Sequence, residues 1–172
     1  MRLQLTQIEE KDLPLYKSDM QEAFQMGAEE RGFPTYGQQI LPEDDIDRSI
    51  SAKGAMVYKA VMNDQMVGGA IVVIDAVNHH GHLDFLYVKH GVQSKGIGQF
   101  IWYELEKLYP DIQVWETCTP YFEKRNIHFY VNRCGFHIVE FYNAHNLDPQ
   151  MSIENFDDGE ANEMFRFVKV MN

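Results

Sequence analysis

The residues best suited to chemistry lie in one turn, Gln93-Ser94-Lys95-Gly96-Ile97-Gly98. Its two glycines allow a tight backbone turn and the close approach of a ligand. Where a helix starts at such a turn, its first-turn N–H groups and the positive end of its dipole form an anion site. Lys95 adds a point charge suited to phosphate. Two familiar phosphate motifs are excluded: G-x-x-x-x-G-K-[ST] is absent, and Ile101 takes the place of the third glycine of G-x-G-x-x-G. A second cluster, His79, His80 and His82, has residue types that bind metals, but no carboxylate or cysteine completes a ligand pattern around it. It reads as a polar turn entering the next strand.

The elements that must position the glycine turn are legible on either side of it. Leu83 to Val88 is short, apolar and rich in aromatic and β-branched residues, the pattern of a buried strand. Ile97, Ile101, Leu105 and Leu108 recur at helical spacing until Pro110 stops the run. Upstream, the pattern predicts a strand over 2–8, an amphipathic helix over 13–26, a loop over 27–42 and a short helix over 44–51. Phe33, Tyr36, Glu43, Asp44 and Asp45 in this region read as loop packing and a solvated charge run. Strands over 55–62 and 66–77 join at Asn63-Asp64. Downstream come a strand over 112–116, then Thr119 as N-cap and Pro120 as first residue of a helix that runs over 123–134 and ends at Gly135. Strands over 136–142 and 164–171 flank a polar stretch, 143–162.

Composition bounds the partners. The chain has 172 residues, enough for one domain with a real core, and 45% hydrophobic with 24% charged residues is ordinary for a globular protein. A net charge of −11 argues against nucleic acid, whose phosphates need a basic footprint, and mildly for a cationic acceptor. The longest aliphatic run, Ala70 to Ile74, is too short to span a membrane, and no signal peptide precedes Arg2-Leu3-Gln4. With Cys118 and Cys134 as the two cysteines and no C-x-x-C, a reduced, cytoplasmic setting without a disulfide is expected. A homodimer is compatible with the sequence, and nothing in it requires one.

Gln-x-x-Gly-x-Gly between a strand and a helix resembles the acetyl-CoA pyrophosphate loop of the GNAT superfamily of N-acetyltransferases. Phe129-Tyr130 followed by Cys134-Gly135-Phe136 resembles that family's other signature, a helix carrying Phe-Tyr and ending in Gly-Phe. The resemblance implies a single α/β domain over 1–172, best supported over 55–142. Its expected architecture is a mixed, mostly antiparallel sheet of about six to seven strands flanked by helices. It further implies that Gln93, Ser94, Lys95, Gly96, Ile97 and Gly98 bind acetyl-CoA as cosubstrate, and that backbone N–H groups near Tyr87 and Val88, at a strand bulge, hold the oxyanion.

The same resemblance implies roles in acetyl transfer to an amine. Tyr130 would protonate the departing thiolate; a phenol with pKa near 10 stays protonated at neutral pH and can donate to a thiolate whose pKa is about 8.5. A base would sit six or four residues before Val88, at His82 or Asp84, which simple alternation places on the face of Val88. His82 has the more suitable unperturbed pKa, whereas Asp84 needs burial to raise its own. The family commonly has Asn seven residues before the Tyr, contacting pantetheine; Glu123 stands there in this chain, and Asn126 is the preferred substitute. The leading expectation is an N-acetyltransferase for a small amine or a peptide amine, by direct attack. The alternative is a non-catalytic acyl-CoA-binding or sensing module. A third reading, acetylation of charged tRNA, is opposed by the acidic balance.

Overall fold

The structure is a computed structural model that describes residues 2–32, 35–92, 96–149 and 163–172. In chain order the elements are β1 (Leu3–Gln7), α1 (Leu13–Glu30), α2 (Glu43–Ser51), β2 (Ala55–Met62), β3 (Gln65–Asp75), β4 (His80–Val88), α3 (Ile97–Leu108), β5 (Val114–Pro120), α4 (Lys124–His128), β6 (His137–Tyr142) and β7 (Met164–Val170). A π-helical turn, Phe129–Arg133, continues α4. The seven strands form one sheet in the order β1-β2-β3-β4-β5-β7-β6, antiparallel throughout except for β4 beside β5. This is the α/β architecture expected. The β2–β3 hairpin closes through Asn63 and Asp64, both with positive φ (53° and 61°), the backbone that matches strand twist in a two-residue loop.

Each sheet face carries its own core. On one, Ile97, Ile101, Trp102 and Leu105 of α3 and Tyr130 of the π turn pack on Ala70, Val72, Leu83, Trp115 and Phe167. Trp102 and Trp115 meet edge to face at 5.2 Å, and Gly81 exists to admit them: a Cβ there would lie 2.5 Å from the Trp115 ring. On the other face, Tyr16 and Met20 of α1 and Ile46 of α2 pack on Val57, Ile71 and Tyr87.

Two irregularities in β4 shape everything near the site. Ile71 pairs with Phe85 but Val72 pairs with Leu83, so Asp84 is an extra residue, a β-bulge. The bulge inverts the alternation along the strand. Leu83, Leu86 and Val88 therefore face the α3 core, while Phe85 and Tyr87 face α1 and α2. The expectation that His82 and Asp84 share the face of Val88 fails for this reason. The bulge also lies at Asp84 rather than beside Tyr87 and Val88, which pair regularly with Gly69 and Gly68. The second irregularity is a parting of strands: β4 and β5 pair only from His80–Val114 to Leu83–Thr117. Beyond that pair the two strands diverge, with the Thr117 hydroxyl donating to the Leu83 carbonyl (2.8 Å) at the vertex.

Several boundaries differ from the sequence expectation. α1 runs on through Gly27 to Glu30, so the loop starts later. His80 and His82 belong to β4 rather than to a turn. Thr119 and Pro120 are not a helix start: β5 pairs with β7 as far as Pro120–Met164, because a neighbouring strand recruits residues whose local sequence suits a cap. Among the described residues no helix is long and apolar enough to cross a membrane.

Candidate active site

The α3 N-terminus is built as the glycine turn predicts. Gly96 holds a left-handed backbone (φ 74°, ψ 12°) as N-cap, without a side-chain cap, a conformation that costs residues other than glycine strain. The first intrahelical bond runs from Phe100 N–H to the Gly96 carbonyl (3.0 Å), which leaves the N–H groups of Ile97, Gly98 and Gln99 without an intrahelical partner. A Cβ at Gly98 would stand 3.2 Å from the Phe129 ring and 3.6 Å from Val88, so glycine keeps this turn close to β4 and the π turn. Gln93, Ser94 and Lys95 lie outside the described residues.

This helix end opens on a cavity of about 580 Å³. Leu86, Tyr87 and Val88 of β4 line it with Gly96, Ile97, Gly98, Glu123, Asn126 and Phe129, and α1 contributes Phe24, Glu30 and Arg31. Arg125, His128 and Arg133 complete the wall. Three of the chain's six arginines thus gather in one concavity of a molecule whose net charge is −11. All the described cofactor-site candidates (Tyr87, Val88, Gly96, Ile97, Gly98 and Asn126) are brought together here.

Glu123 is the unexpected member of that wall. It is 7% exposed, its Oε1 has no hydrogen-bond partner among the described residues, and Arg31 Nη1 stands 3.5 Å away as an ion-pair neighbour. Burial raises its pKa, opposed by the charges of Arg31 and Arg125. Tyr130 sits elsewhere. It is 6% exposed among Phe129, Phe136 and Phe167, behind the cavity wall rather than on it. Its hydroxyl lies near the Thr117 side chain at the vertex where β4 and β5 part. Burial holds the phenol protonated far above its ordinary range.

His82 and Asp84 lie outside this cavity, in a separate shallow recess with Asp45, Arg48, Ser49, Ala52 and Phe85. There they form a chain of hydrogen bonds: Ser49 Oγ donates to Asp84 Oδ2 (2.6 Å), and Asp84 Oδ1 is 2.6 Å from His82 Nδ1. Cys118 on β5 lies on the same strand face as His82 and acts on its charge. Burial works against charge on His82 but is outweighed by Asp84 and then Cys118, so its pKa is raised to about 10. A base must be free of its proton at working pH, and His82 is not. The folded state binds this proton more tightly than the unfolded chain. The pairing therefore stabilises the fold fully below about pH 6.5 and is lost as pH climbs toward 10. Replacing His82 with Gln should flatten the fall of the urea midpoint across that window; equal slopes in wild type and variant would refute the pairing.

The comparisons with known proteins agree with this geometry. The chain is 44% identical over 166 residues to an uncharacterized protein, YrkN, of Bacillus subtilis strain 168, covering 94% of this chain and 90% of that one. The family model described as Acetyltransferase (GNAT) family matches residues 15–136. The chain belongs to this GNAT acetyltransferase family. Its fold matches the PaiA N-acetyltransferase of Thermoplasma acidophilum in complex with coenzyme A (TM-score 0.68, 18% identity, 99% of this chain and 100% of that one). It likewise matches the ribosomal-protein-S18-alanine N-acetyltransferase of Escherichia coli (TM-score 0.69, 12% identity, 97% and 92%).

As a GNAT N-acetyltransferase, the protein uses acetyl-CoA as its acetyl donor. The residues present fit that donor: helix N–H groups without an intrahelical partner and arginines for phosphate, and the buried Glu123 carboxylate for an amide N–H. Sequence reasoning missed the three arginines, Ser49 and Cys118. The arginines are scattered over α1, α4 and the π turn, and only folding assembles them. Cys118 was recoverable in principle, since it shares a strand face with Glu116, the register partner of His82.

Proposed function

We propose that this acetyltransferase moves the acetyl group of acetyl-CoA to a primary amine of a small molecule or peptide by direct attack. The reading rests on one convergence: the uncapped α3 N-terminus, three arginines and the end of β4 that has parted from β5 meet at a single cavity. Ile97, Gly98 and Gln99 offer N–H groups to the pyrophosphate, and the arginines offer charge to the remaining phosphate. Asn126 and Glu123 receive the pantetheine arm. Lys89 N–H bonds the Val67 carbonyl on β3, so by the alternation along a strand the Val88 N–H turns to the gap, where it holds the oxyanion. Tyr130, at the vertex, gives its proton to the leaving thiolate.

The amine enters from the α2 face, where the recess lies. A lysine-like amine costs about 4–5 kcal/mol to deprotonate at neutral pH. His82 keeps its proton there, so Asp84 receives the amine's proton, positioned by Ser49 and His82. The test is release of free thiol from acetyl-CoA in a panel of primary amines. Acceptor-dependent release with at least one amine is expected; release no faster with any amine than without overturns the reading.

A further inference from the structure

The chain Ser49–Asp84–His82–Cys118 has more parts than amine acetylation uses. A thiol next to an imidazole whose other contact is a carboxylate is the arrangement that activates a nucleophile, on whatever fold it occurs. It is assembled here from three elements: α2 gives Ser49, β4 gives the Asp84–His82 pair (2.6 Å), and β5 gives Cys118. Strand register explains the meeting. His82 pairs with Glu116, Leu83 with Thr117 is the last pair, and Cys118 is the first residue past it, on the face of His82. Thr117, pointing the other way, lies near the Tyr130 hydroxyl. Cys118 and Tyr130 thus flank the vertex from opposite faces of the sheet. Cys118 is partly exposed, whereas the other cysteine, Cys134, is buried at 2% with its thiol pushed up to about 12.

We infer that Cys118 is a nucleophilic, acyl-accepting thiol served by His82 and Asp84, and that its partners are acyl thioesters. His82 holds, as imidazolium, the proton that Cys118 gives up. The Cys118 Sγ electron pair attacks the thioester carbonyl carbon and forms a new C–S bond, and the carbonyl π pair moves to oxygen. Collapse of the tetrahedral species breaks the old C–S bond; the departing thiolate takes the proton from His82. The products are S-acyl Cys118 and a free thiol, with no oxidant or reductant required. Acetyl-CoA as natural source rests on the function proposed above; the nucleophile itself does not.

The test has two arms on the full chain. In the first, iodoacetamide at neutral pH is followed by peptide mass spectrometry. A free cysteine is only a few per cent thiolate there, so Cys118 should react about tenfold faster than a small free thiol in the same solution. His82→Gln should remove most of that gain while the melting temperature of the variant confirms its fold. Cys118 no faster than the free thiol, or a rate indifferent to His82→Gln, overturns the inference.

In the second arm the protein meets acetyl-CoA without amine and, separately, a short acetyl thioester that lacks the nucleotide. One acetyl group on the Cys118 peptide, removed by neutral hydroxylamine and absent in Cys118→Ser, is expected. No label from either thioester overturns the inference, even where amine-dependent thiol release proceeds. Label from the short thioester but not from acetyl-CoA keeps the nucleophile and counts against the acetyl-CoA reading instead.

Discussion

Tyr130→Phe should lower kcat by about 10²–10⁴-fold, the usual cost of losing a general acid. The substitution removes one oxygen from a ring packed among Phe129, Phe136 and Phe167, so the core keeps its shape. A residue that only filled the core would lose the polar contact of one buried hydroxyl, about 1 kcal/mol, and leave turnover nearly intact. The expected signature is therefore a collapse of kcat with acetyl-CoA affinity and Tm almost unchanged. The burial of Tyr130 behind the cavity wall makes the measurement decisive. A fall of less than about threefold, where chemistry limits the rate, removes Tyr130 from the reaction.

Gly96→Glu should abolish acetyl-CoA binding at ordinary concentrations. Two effects act together. A side chain at φ 74° costs on the order of 1 kcal/mol of backbone strain. The new carboxylate extends beside the helix end proposed to receive the pyrophosphate, and among the described residues nothing lies within 4 Å of its Cβ to hold it away. One like-charge pair near 4 Å is worth about 4 kcal/mol at an effective dielectric of 20, close to 10³-fold in affinity. Gly96→Ala separates the two causes, since it adds strain without charge and should weaken binding by no more than about fivefold. Calorimetry that finds wild type and Gly96→Glu equal would remove the α3 N-terminus from the donor site.

The parts of this molecule that sequence made legible are those with local causes. Ile97, Ile101 and Leu105 announced α3 by their spacing, and Gly135, with φ 85°, ended the α4 segment as a left-handed residue should. The two-residue hairpin at Asn63-Asp64 has the same local origin. What escaped was set by partners distant in the chain. Thr119 and Pro120 carry the local chemistry of a helix start and were drawn into β5 by β7, more than forty residues on. The Asp84 bulge leaves no mark in the residue pattern, yet it decides which face each later side chain of β4 occupies. Glu123 stood out only as a departure from a motif; its burial beside Arg31 depends on where α1 ends.

That single surplus residue at Asp84 has an evolutionary consequence. Because it reverses the strand's parity, Leu86 and Val88 turn to the α3 core while Phe85 and Tyr87 turn to α1 and α2, so the two faces of β4 carry different neighbours. Substitutions among Asp45, Arg48 and Ser49 can reshape the recess while the turn at Gly96 to Gln99 goes on unchanged. On the acceptor assignment proposed above, a lineage can trade one amine for another by drift in the recess. A deletion at position 84, by contrast, would exchange the two faces at a stroke and scramble both, so diversification in such a scaffold should proceed by replacement and spare the length of β4.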